Sequence, residues 1–126
     1  MKYILIAVLI LSLCLGFCLY SMQQIRKTST QTLHYLQQSQ SHAERKNLPH
    51  TWALLNRAEA SWNDHEAFFG IVLAHAETDD ILQRFAALKK YIILRDYDDY
   101  ISGCAELITI VRHIREMQSP IISNLL

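Results

Sequence analysis

Tyr3-Ile-Leu-Ile-Ala-Val-Leu-Ile-Leu-Ser-Leu-Cys-Leu-Gly-Phe-Cys-Leu-Tyr-Ser-Met22 runs for twenty residues without a charge, between Lys2 and the pair Arg26-Lys27. As a helix this stretch spans about 30 Å, the thickness of a bilayer's hydrocarbon core. Its eleven Leu, Ile, Val and Phe residues each favour insertion by roughly 0.3–0.6 kcal/mol, which outweighs Ser12 and Gly16. The expectation is a membrane span at residues 1–24. A secretory signal has a shorter apolar region closed by a small-x-small cleavage site, and the one candidate here, Gly16-Phe17-Cys18, lies inside the run. Leu13 and Phe17 precede the two cysteines, where a lipoprotein signal needs a small residue. An uncleaved anchor is therefore expected, with a cleaved, secreted helical domain as the alternative. Basic residues are nearly balanced across the span, but a two-residue leader most simply stays in the cytoplasm. That places the bulk of the chain outside.

Beyond the span lie about a hundred residues, enough for one small domain with a single core. Only three Gly and two Pro, abundant Leu, Ile, Ala, Gln and Glu, and no Asn-Gly or Asp-Gly hairpin signal predict an all-α fold. Residues 25–47 are polar with a thin apolar line at Ile25, Leu33 and Leu36, and read as a helical stem or linker that frays near Thr28–Thr30. Residues 48–126 read as an antiparallel helical bundle, with tetratricopeptide-like hairpins as a likeness of shape. Pro49 suits a first helical turn. Trp52, Leu55, Glu59 and Trp62 follow a helical spacing, and both tryptophans are expected in the core. A short helix is expected through Phe68, Phe69, Val72 and Leu73. Thr78 reads as the cap of the next helix, with Asp79 and Asp80 in its first turn. Ile81, Phe85, Leu88 and Ile92 then form a clean apolar stripe. The last helix begins near Asp98 and buries Ile101, Cys104, Leu107 or Ile108, Val111 and Ile114. Pro120 is expected to end it, leaving Ile121–Leu126 to fold back onto the domain.

Taken in order, several features resemble a known family. The apolar helix is followed by Trp52 and Trp62, then by the turn His75-Ala76-Glu77-Thr78-Asp79-Asp80-Ile81. A Leu88–Ile92 segment, Leu-Lys-Lys-Tyr-Ile, precedes an acidic turn, and the chain closes on Ser119 to Leu125. The pattern is similar to domain of unknown function 4363, short membrane-anchored proteins of Firmicutes. The resemblance implies an anchor and a helical extracytoplasmic domain, with no established activity. Against that family Ile93, Leu94, Tyr97, Tyr100 and Ile110 raise the apolar content, which points to a second contact surface.

No constellation carries chemistry. His65-Glu66 and the set His75, Glu77, Asp79, Asp80 are the best metal candidates, but no His-x-x-x-His pair exists and zinc needs three or four convergent ligands. Asp96, Asp98 and Asp99 lack the Gly and closing Glu of a calcium loop. Cys104 sits on an apolar stripe as a small hydrophobe. Cys14 and Cys18 lie in the span, so no disulfide framework forms. No phosphate loop or nucleophile elbow is present, and no catalytic, cofactor or metal residue is assigned. Net charge is zero, split as +3 over residues 23–63 and −4 over residues 64–126, which does not support nucleic-acid binding. The partners expected are the lipid bilayer through residues 1–24 and a protein docked by the surplus aromatics around Tyr97–Tyr100. The alternative is a self-associating envelope protein whose 23–47 helix pairs with a second copy.

Overall fold

The computed structural model describes the backbone of residues 1–64 and 75–125 and the side chains of residues 1–64 and 78–116, and among the described residues there are four helices. They are α1 (Lys2–Glu44), α2 (Leu48–Asn63), α3 (His75–Ile93) and α4 (Tyr97–Leu125). The short helix expected through Phe68–Leu73 lies outside the described residues. α1 packs on α2 and α4, α4 on α3, and α2 more briefly on α3, closing an up-down-up-down bundle. The all-helical bundle with one long apolar N-terminal helix is the fold the sequence predicts.

α1 is one helix of 43 residues without a break at Thr28–Thr30. Its first twenty residues are exposed. One face of the rest is buried: Ser21, Ile25, Thr28, Ser29, Thr32, Leu33, Leu36, Ser39 and Ala43. The segment read as a stem is thus helical but packs inside the bundle rather than beneath it. Its buried face escapes a hydropathy reading because five of its nine residues are Ser or Thr. Such small side chains let neighbouring helices approach closely.

The core joins that face to Leu55, Ala58 and Trp62 of α2, the stripe Ile81, Phe85, Leu88, Ile92 of α3, and Tyr100, Cys104, Leu107, Val111 and Ile114 of α4. The α3 stripe is buried as its spacing predicts, and Leu107 and Ile108 are both buried. Three expectations need correction. Trp52 is 38% exposed whereas Trp62 is fully buried; ten residues at 100° each set them about 80° apart on the helix. Tyr100, read as part of a surface, is fully buried. Thr78 is no cap, because it lies inside α3, which is already helical at His75. Asp80 instead pairs with Arg84 four residues on at 3.3 Å.

A fourth correction concerns Pro120. α4 runs through it to Leu125. Proline deprives the Glu116 carbonyl of its donor and strains the preceding turn, which bends a helix without having to stop it. Residues 121–125 therefore continue the helix instead of folding back.

Across helices the polar ties are few and specific. Ser39 Oγ donates to the Thr51 carbonyl at 2.8 Å and lies 2.5 Å from Tyr100 Oη. The serine proton being committed, the Tyr100 hydroxyl is the donor in that second bond. One buried network so joins α1, α2 and α4. Gln40 Nε2 donates to the Ile101 carbonyl at 3.2 Å, Arg84 bridges α3 to Glu106 of α4 at 2.8 Å, and Lys89 bridges α3 to Glu59 of α2.

Candidate functional site

The two described turns of the bundle are built alike and lie at the same end, the tip farthest from the apolar half of α1. After α1 the chain passes through Lys46 at φ 55, and after α3 through Arg95 at φ 57. In each, the next amide reaches back to close the helix: Asn47 N–H to the His42 carbonyl at 3.0 Å, Asp96 N–H to the Tyr91 carbonyl at 2.8 Å. This is the Schellman closure, which normally places glycine at the left-handed residue. The following side chain then caps the next helix, Asn47 Oδ1 accepting from His50 N–H at 3.4 Å and Asp96 Oδ1 from Asp99 N–H at 3.2 Å. Pro49 falls in the first turn of α2, where its missing N–H costs nothing.

A left-handed conformation costs a non-glycine residue roughly 1 kcal/mol or more. Both turns carry it on a cation. Positive charge at a helix C-terminus recovers part of that cost, and both side chains are exposed.

Between the turns lies an apolar groove of about 430 Å³ lined by Leu48, Pro49, Trp52, Ile92, Ile93 and Arg95. Ile93 is 69% and Leu94 66% exposed beside the half-open Trp52 indole. Beyond residues 1–20 these three are the exposed large apolar side chains among the described residues. Contiguous apolar surface of this kind marks an interaction site more often than scattered single residues do. Of the residues expected to form a second contact surface, Ile93 and Leu94 therefore stand at the tip, Tyr97 and Ile110 are partly buried, and Tyr100 belongs to the core. The exposure of Trp52 was missed. The signal available was its angular offset from Leu55 and Trp62.

The other candidates do not converge. His65 and Glu66, and the side chains of His75 and Glu77, lie outside the described residues. Among the described residues no group of three or more His, Cys, Asp or Glu could hold a metal ion. Asp99 has its carboxyl held above the usual range by the hydrogen bond and charge of Asp96, while Asp98 adds repulsion. Cys104 is buried, and burial pushes its thiol up to about 12, so it is no thiolate near neutral pH. Burial also raises the Tyr100 phenol far out of reach. His42 and His50 stack with ring centroids 5.0 Å apart beside the first turn, without a third ligand.

No curated protein and no solved structure matches this chain. A family model does, the one described as a domain of unknown function numbered 4363, over residues 19–125. That match begins at the end of the apolar run and takes in the second half of α1 together with α2, α3 and α4, which are the parts that build the bundle. The chain belongs to the family of domain of unknown function 4363.

Proposed function

We infer that the protein is a membrane-anchored interaction module whose helical bundle, outside the cytoplasm, presents its apolar tip to a protein partner. The observation that carries this reading is the exposure of Trp52 and Ile93 in the tip groove, with Leu94 exposed next to Ile93 in the chain. α1 is long and apolar enough to cross a membrane. From Met22 to Glu44 it rises about 33 Å, so the groove stands clear of any bilayer that holds the span. Lipid cannot cover it from there. Arg95, the charged residue in the groove wall, favours a partner whose apolar side chain is flanked by a carboxylate, a preference confined to the groove because Asp96, Asp98 and Asp99 follow at the same turn. Aromatic and arginine side chains are the residues that anchor such contacts.

A photo-crosslinking side chain at position 52 or 93, in the full chain in native membranes, should yield a discrete protein adduct. The same side chain at Lys90, off the groove, should not. Equal yields at all three positions would contradict the reading. Orientation is tested separately with Gln37→Cys, an exposed position, in a variant with Cys14 and Cys18 replaced. An impermeant thiol reagent should label it in intact cells. Labelling only after lysis would place the bundle in the cytoplasm, the side toward which Arg26, Lys27, Arg112 and Arg115 weigh by the positive-inside tendency.

The self-association reading has the 23–47 helix pair with a second copy, and the apolar line of that helix is Ile25, Leu33 and Leu36. That line is buried within the chain's own bundle, so pairing would have to use the span, where Cys14 and Cys18 are exposed.

A further inference from the structure

α1 and α4 run antiparallel in a register fixed by two bonds, Ser39 to Tyr100 and Gln40 to Ile101. Counting at about 1.5 Å per residue from that level, Met22 lies about 25 Å down α1 and Leu125 about 37 Å down α4. α4 therefore overshoots the end of the apolar run by about 10 Å, even after allowing for a ~20° crossing of the two helices. The same register sets Glu116 opposite residue 24.

Charge stops at that plane on both helices. Below Arg26, α1 carries no charge until Lys2; below Glu116, α4 carries none through Leu125. The plane also holds for the other helices. Asp64 at the end of α2 sits near the level of Ser29, by the register that sets Thr32 against Ser61. Asp79 sits near that of Val111, by the register of Arg84 with Glu106. Among the described residues every charged position except Lys2 lies on the tip side of the plane. Beyond it α4 reads Met-Gln-Ser-Pro-Ile-Ile-Ser-Asn-Leu, apolar and uncharged polar residues together, a composition suited to the boundary between headgroups and acyl chains rather than to the bilayer centre.

From this juxtaposition we propose that residues 117–125 of α4 form a second membrane-contact element, entering the lipid interface alongside the span. This rests on the reading of residues 3–22 as a membrane span. A penetration of about 10 Å matches the ~5–10 Å at which amphipathic helices lie in the headgroup and acyl boundary. Just above the plane Arg26, Lys27, Arg112 and Arg115 are offset by Asp64, Asp79 and Glu116. The contact is therefore apolar burial and does not depend on anionic lipid. The bundle sits on the bilayer by two helices, which fixes its tilt as one helix alone would not.

Depth-dependent fluorescence quenching of the full chain in phosphatidylcholine vesicles tests this. Single cysteines are placed at Gln118, Ile121, Ile122 and Leu125, at Leu11 in the span and at Asp98 on the tip end of α4. Cys14 and Cys18 are replaced, and the buried Cys104 is kept. After labelling with an environment-sensitive fluorophore, Leu11→Cys should be quenched best by a nitroxide deep in the acyl chain. At least two of the four α4 positions should be quenched several-fold more than Asp98→Cys by a shallow nitroxide, with no change when anionic lipid is added. Quenching at Leu11→Cys with none at positions 118–125 would overturn the inference and leave the span intact. Quenching at neither would overturn both. Quenching at positions 118–125 only when anionic lipid is present would replace apolar insertion by headgroup attraction and refute the mechanism given.

Discussion

The bundle ends in two unlike apolar surfaces. At the base, the uncharged parts of α1 and α4 stop at one plane, and lipid can cover what lies beyond it. At the tip, Trp52, Ile93 and Leu94 are exposed some 33 Å farther along α1 by its ~1.5 Å rise per residue, beyond the reach of lipid. Between them the core is closed, with Trp62, Phe85, Tyr100 and Val111 fully buried. On the functions proposed above, exposed apolar area has two meanings in one small chain. Which applies is decided by axial position relative to the charge boundary and not by residue type.

The largest expected effect comes from the pair of tryptophans on α2. Trp62→Ala, toward the base, empties a filled core site and should destabilise by about 3–5 kcal/mol. Trp52→Ala at the tip removes a side chain that keeps part of its area in water and leaves no closed cavity, and should cost less, about 2 kcal/mol. Urea unfolding of the full chain in detergent, followed by circular dichroism, measures both. Equal losses would mean that the tip is part of the core.

A smaller contrast lies along the hydroxyl face of α1. Ser39→Ala in the tip half leaves the buried Tyr100 hydroxyl and Thr51 carbonyl short of a partner, costing about 1–3 kcal/mol. Tyr100→Phe keeps the bond from Ser39 to Thr51 and should cost about 0.5–1.5 kcal/mol. In the base half, Ser29 Oγ is buried without a hydrogen-bond partner among the described residues. Ser29→Ala should accordingly be neutral or stabilise by a few tenths of a kcal/mol, helped by the better helix propensity of alanine. The order Ser39, Tyr100, Ser29 is read from the same unfolding curves, and a reversal would mean that the network is wrongly assigned.

The two tip turns are expected to respond in the opposite direction. Lys46→Gly and Arg95→Gly should each stabilise by up to about 1 kcal/mol, because glycine adopts the left-handed conformation without strain. Only Arg95→Gly should also weaken the adduct formed from position 52. A stability gain together with lost crosslinking would show that the Arg95 side chain is kept for binding although its backbone is strained. Loss of crosslinking from Lys46→Gly alone would move the contact to the other turn.

Much of the architecture was readable because the α3 stripe, Pro49 and the Asp-rich turn obey local rules. Helix periodicity reports a buried face when that face is Ile, Phe and Leu, as in α3. It is silent when the face is Ser and Thr, as in α1, because burial there depends on close approach by α2 and α4. Tyr100 was misplaced for a related reason: its burial is underwritten by Ser39 and Thr51, distant in sequence. Pro120 and Thr78 were given boundary roles that local chemistry suits, and the helices extend past both. The tip groove was half legible. Ile93 and Leu94 stood out as apolar residues beside a turn, whereas joining them to Trp52 required the fold.

The register, the charge boundary and the height of the tip all follow from α1 being one continuous helix whose second half is a wall of the bundle. Hydrogen exchange of the full chain in lipid nanodiscs reports on this directly, since amides that open only with global unfolding exchange together. Amides of residues 28–43 should be protected to the same degree as those of residues 100–114, with no fast-exchanging gap at Thr28–Thr30. Rapid exchange across residues 25–44 while α2, α3 and α4 stay protected would show a free stem, and would contradict both the register and the plane drawn from it.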